Sequence, residues 1–301
     1  MNLKDLLHAV DEQALHVLNI VVRQNGEIIA THDFAEEKRV LLWSASKTFT
    51  SIAIGMAEDE GYFKISDTLS NYFHTPAESL WNQLTIRDLL CMGTGQAKCP
   101  FTEALNQGKP PDNIEEMFFN EPIKYKPGTH FLYSNAVTYM LSKLISVCTG
   151  SCLNDYLTLR LYEPLEIQNV EWEKDINGVN FGCAGLKLSA HEVSKVAQLL
   201  LDEGIWEGTR LIPQEYIKKA SMKQIDTSDF NEFFATADHR SGYGYQVWMN
   251  SYTGSYRMDG LYGQYAVIIP EKKAVVTFIS NEPKNMTGIL ELTWKYIVEQ
   301  L

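Results

Sequence analysis

The spacing of apolar and polar residues changes several times along the chain, and each change marks an element. His16 to Arg23 (HVLNIVVR) has the composition of a strand, Asn25-Gly26 the chemistry of a two-residue hairpin turn, and Glu27 to Thr31 reads as the returning strand. Val40-Leu41-Leu42-Trp43 is a short apolar run. From Phe49 to Glu60 apolar residues fall at helical spacing, with Gly61 as a C-terminal stop. A second helical run carries Val137, Met140, Leu141, Leu144 and Ile145 and closes at Gly150. Ser189 and Glu192 form a capping box at the start of a further helix. Tyr265 to Pro270 and Ala274 to Ser280 read as two buried strands around the turn Glu271-Lys272-Lys273.

These elements predict an α+β fold. Strands near both ends of the chain, about 14–32 and 243–280, would form one antiparallel sheet flanked by N- and C-terminal helices. Residues 1–61 and 186–301 would make this sheet domain, and 62–185 a mostly helical domain interleaved with it. The active site would lie between the two, where ligand clefts are common. With 301 residues, 45% of them hydrophobic, the chain can bury a core of that size. It shows no internal repeat and no low-complexity run.

Three stretches carry candidate chemistry. In Ser44-Ala45-Ser46-Lys47 a hydroxyl and an amine stand three residues apart, on one face if the segment is helical. A serine becomes a nucleophile when a neighbouring base takes its proton, and a lysine is such a base when burial lowers its pKa from about 10.4. Trp43, Phe49, Ile52 and Ile54 would supply the apolar setting. The serine is placed at the start of a helix, so its amide is one of the free donors there. By itself the same spacing fits a solvated Ser/Lys pair on an amphipathic helix.

The second stretch is Tyr133-Ser134-Asn135, after Pro127-Gly128 and before the helical run. A tyrosine there can act as a general base, and an asparagine can hold an amide; equally, Tyr133 can be a packing residue and Ser134 an N-cap. The third is Met258-Asp259-Gly260-Leu261-Tyr262-Gly263-Gln264 before the strand pair. If it lies on an edge strand, the amide of Leu261 can be a second oxyanion donor opposite that of Ser44; an ordinary glycine-containing turn fits as well.

In this order the three stretches resemble the motifs of the penicillin-recognising serine hydrolases, which include serine β-lactamases, DD-peptidases, esterases and nylon-oligomer hydrolases. Tyr-Ser-Asn as the second motif is most similar to the class C β-lactamase-related branch. The resemblance extends to Leu84–Leu90 with Gly93-Thr94-Gly95, to Gly185–Glu192, to Gly242–Trp248 and to Ile269-Pro270-Glu271-Lys272, nearly the whole chain. It implies that Ser44 is acylated, that Lys47 takes or relays its proton, and that Tyr133 serves the leaving group and then water. It also implies that Asn135 orients the substrate and that the amides of Ser44 and Leu261 hold the oxyanion, with Gly260, Met258 and Asp259 beside the substrate. The family's third motif often has Lys or His, then Thr or Ser, then Gly. Here it reads Met258-Asp259-Gly260. Methionine cannot bind a carboxylate, and Asp259 would repel one if it faced the site. The expected function is therefore an esterase or amidase on a small neutral ester or amide. The alternatives are a β-lactamase or DD-peptidase taking a lactam, and a non-catalytic binding or sensor protein.

Composition narrows the remaining possibilities. The net charge of −12 disfavours nucleic acid and anionic membrane as partners. The N-terminus, Met1-Asn2-Leu3-Lys4-Asp5, breaks into charge before a leader's apolar region forms, and no run of about 18 apolar residues occurs, so a cytoplasmic location is expected. Five cysteines suit reduced thiols better than a disulfide scaffold, Cys148 and Cys152 included. Cys91 and Cys99 lack a matching Cys/His pair, so neither metal nor other cofactor is expected. His130 and His191 are expected at the surface or in caps. Tyr243, Tyr245, Trp248 and Tyr262 either line a cleft or pack in the core. The natural substrate and oligomeric state are open at this level.

Overall fold

The computed structural model describes residues 1–106, 113–232 and 234–301. Helix α1 (Lys4–Glu12) leads into β1 (Val17–Gln24) and β2 (Glu27–Asp33), joined by a turn in which Asn25 and Gly26 take φ of 51° and 85°. Left-handed φ at both central positions matches the twist of a hairpin, and only Gly and Asn adopt it cheaply. After β3 (Val40–Leu41) comes helix α2 (Ser46–Asp59). The middle of the chain supplies α3 (Ile86–Leu90), α4 (Pro100–Asn106), α5 (Ile114–Asn120), α6 (Asn135–Thr149) and α7 (Leu153–Leu157). There follow β4 (Glu171–Trp172), β5 (Leu186–Leu188), α8 (Ala190–Leu201), the small hairpin β6 (Ile205–Trp206) and β7 (Thr209–Arg210), and α9 (Gln214–Ala220). The last part holds β8 (Trp248–Met249), β9 (Tyr256–Gly260), β10 (Gln264–Ile269), β11 (Ala274–Ser280) and α10 (Met286–Leu292).

The main sheet is antiparallel and ordered β2-β1-β11-β10-β9-β8, so strands from both chain ends meet at its centre, as the pattern predicts. Successive side chains of β1 enter two different cores. Val21 packs with Ile52, Ile268 and Val275 on the face covered by α2 and α8, while Ile20 and Val22 pack with Leu6, Val10 and Ile289 under α1 and α10. Because both faces are covered, β1 shows an unbroken apolar run instead of alternation.

Two expectations need correction. Of residues 243–249 only Trp248 and Met249 join the sheet; Tyr243 makes isolated bridges to Ile225 and Trp248. The strand ending at Gly260 is not the edge strand but the one before it. Two-residue β8 pairs only with Tyr256 and Arg257, so Met258–Gly260 run past the end of their neighbour.

One buried glutamine ties the site-bearing elements together. Gln246, with φ of 60°, donates through Nε2 to the carbonyls of Leu89 and Leu90 and accepts at Oε1 from Thr138 at 2.6 Å. Its own carbonyl accepts from Thr48 at 3.1 Å. This joins α2, α3 and α6 and satisfies the buried side-chain amide of Gln246.

Candidate active site

Ser44 stands in a single turn of 3-10 helix, Trp43–Ala45, that runs into α2. The turn starts from Trp43 in the left-handed region, φ 50°, a conformation that strains a bulky side chain. The Ser44 amide thus sits ahead of the helix ladder, among the donors that α2 does not use. Lys47, one turn on, has 1% of its surface exposed. Its ammonium donates to Ser44 Oγ at 3.0 Å, to Asn135 Oδ1 at 2.7 Å and to the carbonyl of Cys183 at 3.0 Å. Two of these partners can only accept. The hydroxyl can also donate, so a neutral amine keeps all three bonds by turning its lone pair to the Ser44 proton. The arrangement suits proton transfer between Ser44 and Lys47 without reorganisation.

The other two Lys47 partners come from distant segments. Asn135 opens α6 and accepts at Oδ1 from Lys47; its Nδ2 can only donate. Cys183 lies in a loop threaded between α2 and α6. Thr50 donates to the Gly182 carbonyl and Ser142 to that of Asn180. A side chain on Gly182 would meet Ser142 at 2.9 Å, so the loop can approach α6 only as glycine. Burial pushes the Cys183 thiol up from its ordinary value, which keeps it protonated and unreactive. No residue pattern in the sequence points to this carbonyl.

Tyr133 is half-buried and is placed by its ring: Lys47 Nζ lies 4.9 Å from the centroid, and Trp248 stacks on it at 5.5 Å with planes 28° apart. Ser134 occupies the N-cap of α6 but sends its hydroxyl to Cys99 Sγ at 3.1 Å instead of capping the helix. Gly260 packs against the turn that carries Ser44, and Leu261, 39% exposed, follows it at the open end of β9. Tyr262, with φ of 65°, meets Trp43 edge to face at 5.3 Å and borders the same side.

The structure revises the parts expected of Met258 and Asp259. Met258 has no exposed surface and fills the core between sheet and α2, on the same face of β9 as Gly260. Asp259 faces the other way and is no free charge. Arg257 Nε donates to its Oδ2 at 2.8 Å, and His239 Nε2 lies 3.3 Å from the same oxygen. Burial alone would raise the Asp259 pKa, but the Arg257 charge and the His239 hydrogen bond outweigh it and hold the carboxyl below its ordinary range. His239 Nδ1 accepts from the Thr236 amide at 3.3 Å, so the neutral ring carries its proton on Nε2. Burial, and then the Arg257 charge, keep its pKa below the ordinary 6.5. The i, i+2 pair Arg257/Asp259 on a strand is a sequence signal for this contact.

Of the four aromatics considered for a cleft, Tyr243, Tyr245 and Trp248 are buried and only Tyr262 has appreciable exposure. His191 pairs with Glu37 at 2.9 Å and His130 stacks on Tyr125, so neither belongs to the constellation. All five cysteines are free thiols. Among the described residues no cluster of His, Cys, Asp and Glu is arranged to hold a metal, and no single helix is long and apolar enough to cross a membrane.

Comparison with known proteins adds a family. The model of a family described as Beta-lactamase matches residues 4–294. The 6-aminohexanoate-dimer hydrolase of Paenarthrobacter ureafaciens is 23% identical over 291 residues, 87% of this chain and 72% of that one. A beta-lactamase of Escherichia coli (strain K12) is 20% identical over 85% of this chain and 78% of its own. Among solved structures, the octameric penicillin-binding protein homologue from Pyrococcus abyssi superposes with a TM-score of 0.75 and 21% identity, over 97% of this chain and 76% of that one.

Proposed function

Since the chain belongs to the beta-lactamase family of serine hydrolases, we propose that it cleaves small neutral esters or amides through an acyl-enzyme on Ser44. The observation that carries this reading is the Lys47 amine, buried and fixed 3.0 Å from Ser44 Oγ by two further acceptors. In the proposed first step Ser44 Oγ bonds to the substrate carbonyl carbon and its proton passes to Lys47. The amides of Ser44 and Leu261 hold the resulting oxyanion, each donor lowering the barrier by roughly 3 kcal/mol. The bond to the leaving alcohol or amine then breaks, and Tyr133 delivers a proton to it. Water next attacks the acyl-enzyme and gives its proton to Tyr133; the bond to Ser44 Oγ breaks, Lys47 returns its proton to Ser44, and the acid is released.

Preference for a neutral substrate rests on the third motif. Met258 is buried and uncharged, and Arg257 is already engaged by Asp259, so no free cation from β9 is offered to a substrate carboxylate. The name of the Paenarthrobacter relative fits a small substrate.

The test is hydrolysis of p-nitrophenyl acetate and butyrate beside nitrocefin, with Ser44→Ala as control. Ester turnover that vanishes in the variant, with little nitrocefin cleavage, supports the reading. Strong nitrocefin cleavage transfers it to β-lactams, and activity retained by Ser44→Ala overturns it. A wild type inert to all three, and unlabelled by a fluorophosphonate probe, would leave a binding protein.

A further inference from the structure

Tyr133 is held through its ring, by Lys47 and by Trp248. Where a lysine or histidine would stand, this chain has Met258, buried and without a hydrogen-bonding group. The nearest cation of β9 is Arg257, on the opposite face of the strand, and the contact between it and Tyr133 runs through one ring. The Arg257 guanidinium lies 5.8 Å from the centroid of Trp248, and Trp248 stacks on Tyr133 at 5.5 Å. Lys47 lies against Tyr133 itself. Two cations and two aromatic rings thus form one continuous set of contacts that begins at Ser44.

Each part is held firmly. Arg257 is fully buried, with Nε on Asp259 and Nη1 donating to Asn250 Oδ1 at 2.7 Å and to the carbonyls of Met249 and Asp238. Trp248 is packed edge-on by Phe131, His239 and Tyr243 and tilted against Phe230, at centroid distances of 4.9 to 5.6 Å. Stacking of this geometry fixes a ring plane, and a cation against the indole strengthens the arrangement.

We infer that Trp248 is the positioning residue for Tyr133, with Arg257 holding Trp248 in turn. The inference rests on the proton-transfer role proposed for Tyr133. A phenol that tilts off its stack leaves the reacting atoms, and a displacement of about 1 Å there costs on the order of a hundredfold in rate. The loss falls on the step that needs Tyr133 as base, hydrolysis of the acyl-enzyme.

The experiment compares Trp248→Phe, which keeps an aromatic ring, with Trp248→Leu, which does not. Trp248→Leu is expected to lose about tenfold or more in kcat on p-nitrophenyl acetate, with KM falling alongside so that kcat/KM changes little, and to show a p-nitrophenol burst close to one per enzyme. Trp248→Phe is expected to recover kcat to within about threefold and to show no larger burst than wild type. Equal losses in both variants, or a Trp248→Leu enzyme with wild-type kcat and no burst, would overturn the inference. If Trp248→Leu does not fold, Trp248→Met serves in its place and is read the same way. Tyr133→Phe run alongside separates the two readings. A fully active Tyr133→Phe removes the role of Tyr133 and this inference with it; an inactive one beside an unimpaired Trp248→Leu removes only the inference.

Discussion

Gly260 lies directly against the backbone of Leu42: a Cβ built on Gly260 would stand 2.2 Å from the Leu42 carbonyl oxygen and 3.1 Å from the Ala45 amide nitrogen. Both are main-chain atoms of the turn that presents Ser44, so no side chain can yield. Glycine here sets the separation between the two proposed oxyanion donors. Gly260→Ala is expected to push β9 away from that turn, lowering kcat by about a hundredfold and stability by about 1–3 kcal/mol. Steady-state kinetics on p-nitrophenyl acetate with a thermal melt measures both. An unchanged kcat would remove the Leu261 amide from the mechanism.

Lys47 is held by three acceptors in a space shaped for a compact ammonium. Arginine is planar, cannot give up its proton and does not fit these partners. Lys47→Arg keeps the charge, yet it is expected to reduce kcat/KM on the ester by about a thousandfold or more. Activity near wild type in that variant would show that charge alone suffices and that Lys47 is not the base.

Acid should weaken the fold through His239. This ring is neutral when buried and its pKa lies below the ordinary 6.5. Between those two values the unfolded chain binds a proton that the folded chain does not, so stability falls as pH drops from 6.5 towards the folded pKa. Above 6.5 both states are neutral and the contribution is level. Asp259 adds a second loss at lower pH, from its ordinary 3.8 downward, because its carboxylate is favoured in the folded state. Urea melts across this range are expected to show the decline, and His239→Gln to flatten its upper part. A wild-type stability constant from pH 7 to pH 5 would contradict the assignment.

Gly55 offers a prediction against helix propensity. It sits inside α2, where alanine is ordinarily better by about 1 kcal/mol. A Cβ there would stand 2.5 Å from the ring of Tyr216, which is buried and bonded through its hydroxyl to Ser51. Gly55→Ala is therefore expected to lower stability by about 1–3 kcal/mol, read as a fall in the melting temperature. A rise would mean that Tyr216 moves aside at no cost.

Much of this protein is legible in the sequence because it depends on neighbours a few residues apart. The apolar strand runs at 16–31 and 265–280, the Asn25-Gly26 turn, the Ser189/Glu192 capping box and the Ser44/Lys47 spacing are all local patterns, and the structure contains each of them. The family resemblance rests on the order of such patterns. Tertiary structure decided what lies across long separations: Asn135 and the Cys183 carbonyl reach Lys47 from 88 and 136 residues away. It also decided that Met258 faces the core, that Arg257 and His239 engage Asp259, and that Trp248 stacks on Tyr133. The physical reason is that a strand's alternation says which residues share a face, but only packing decides what that face meets.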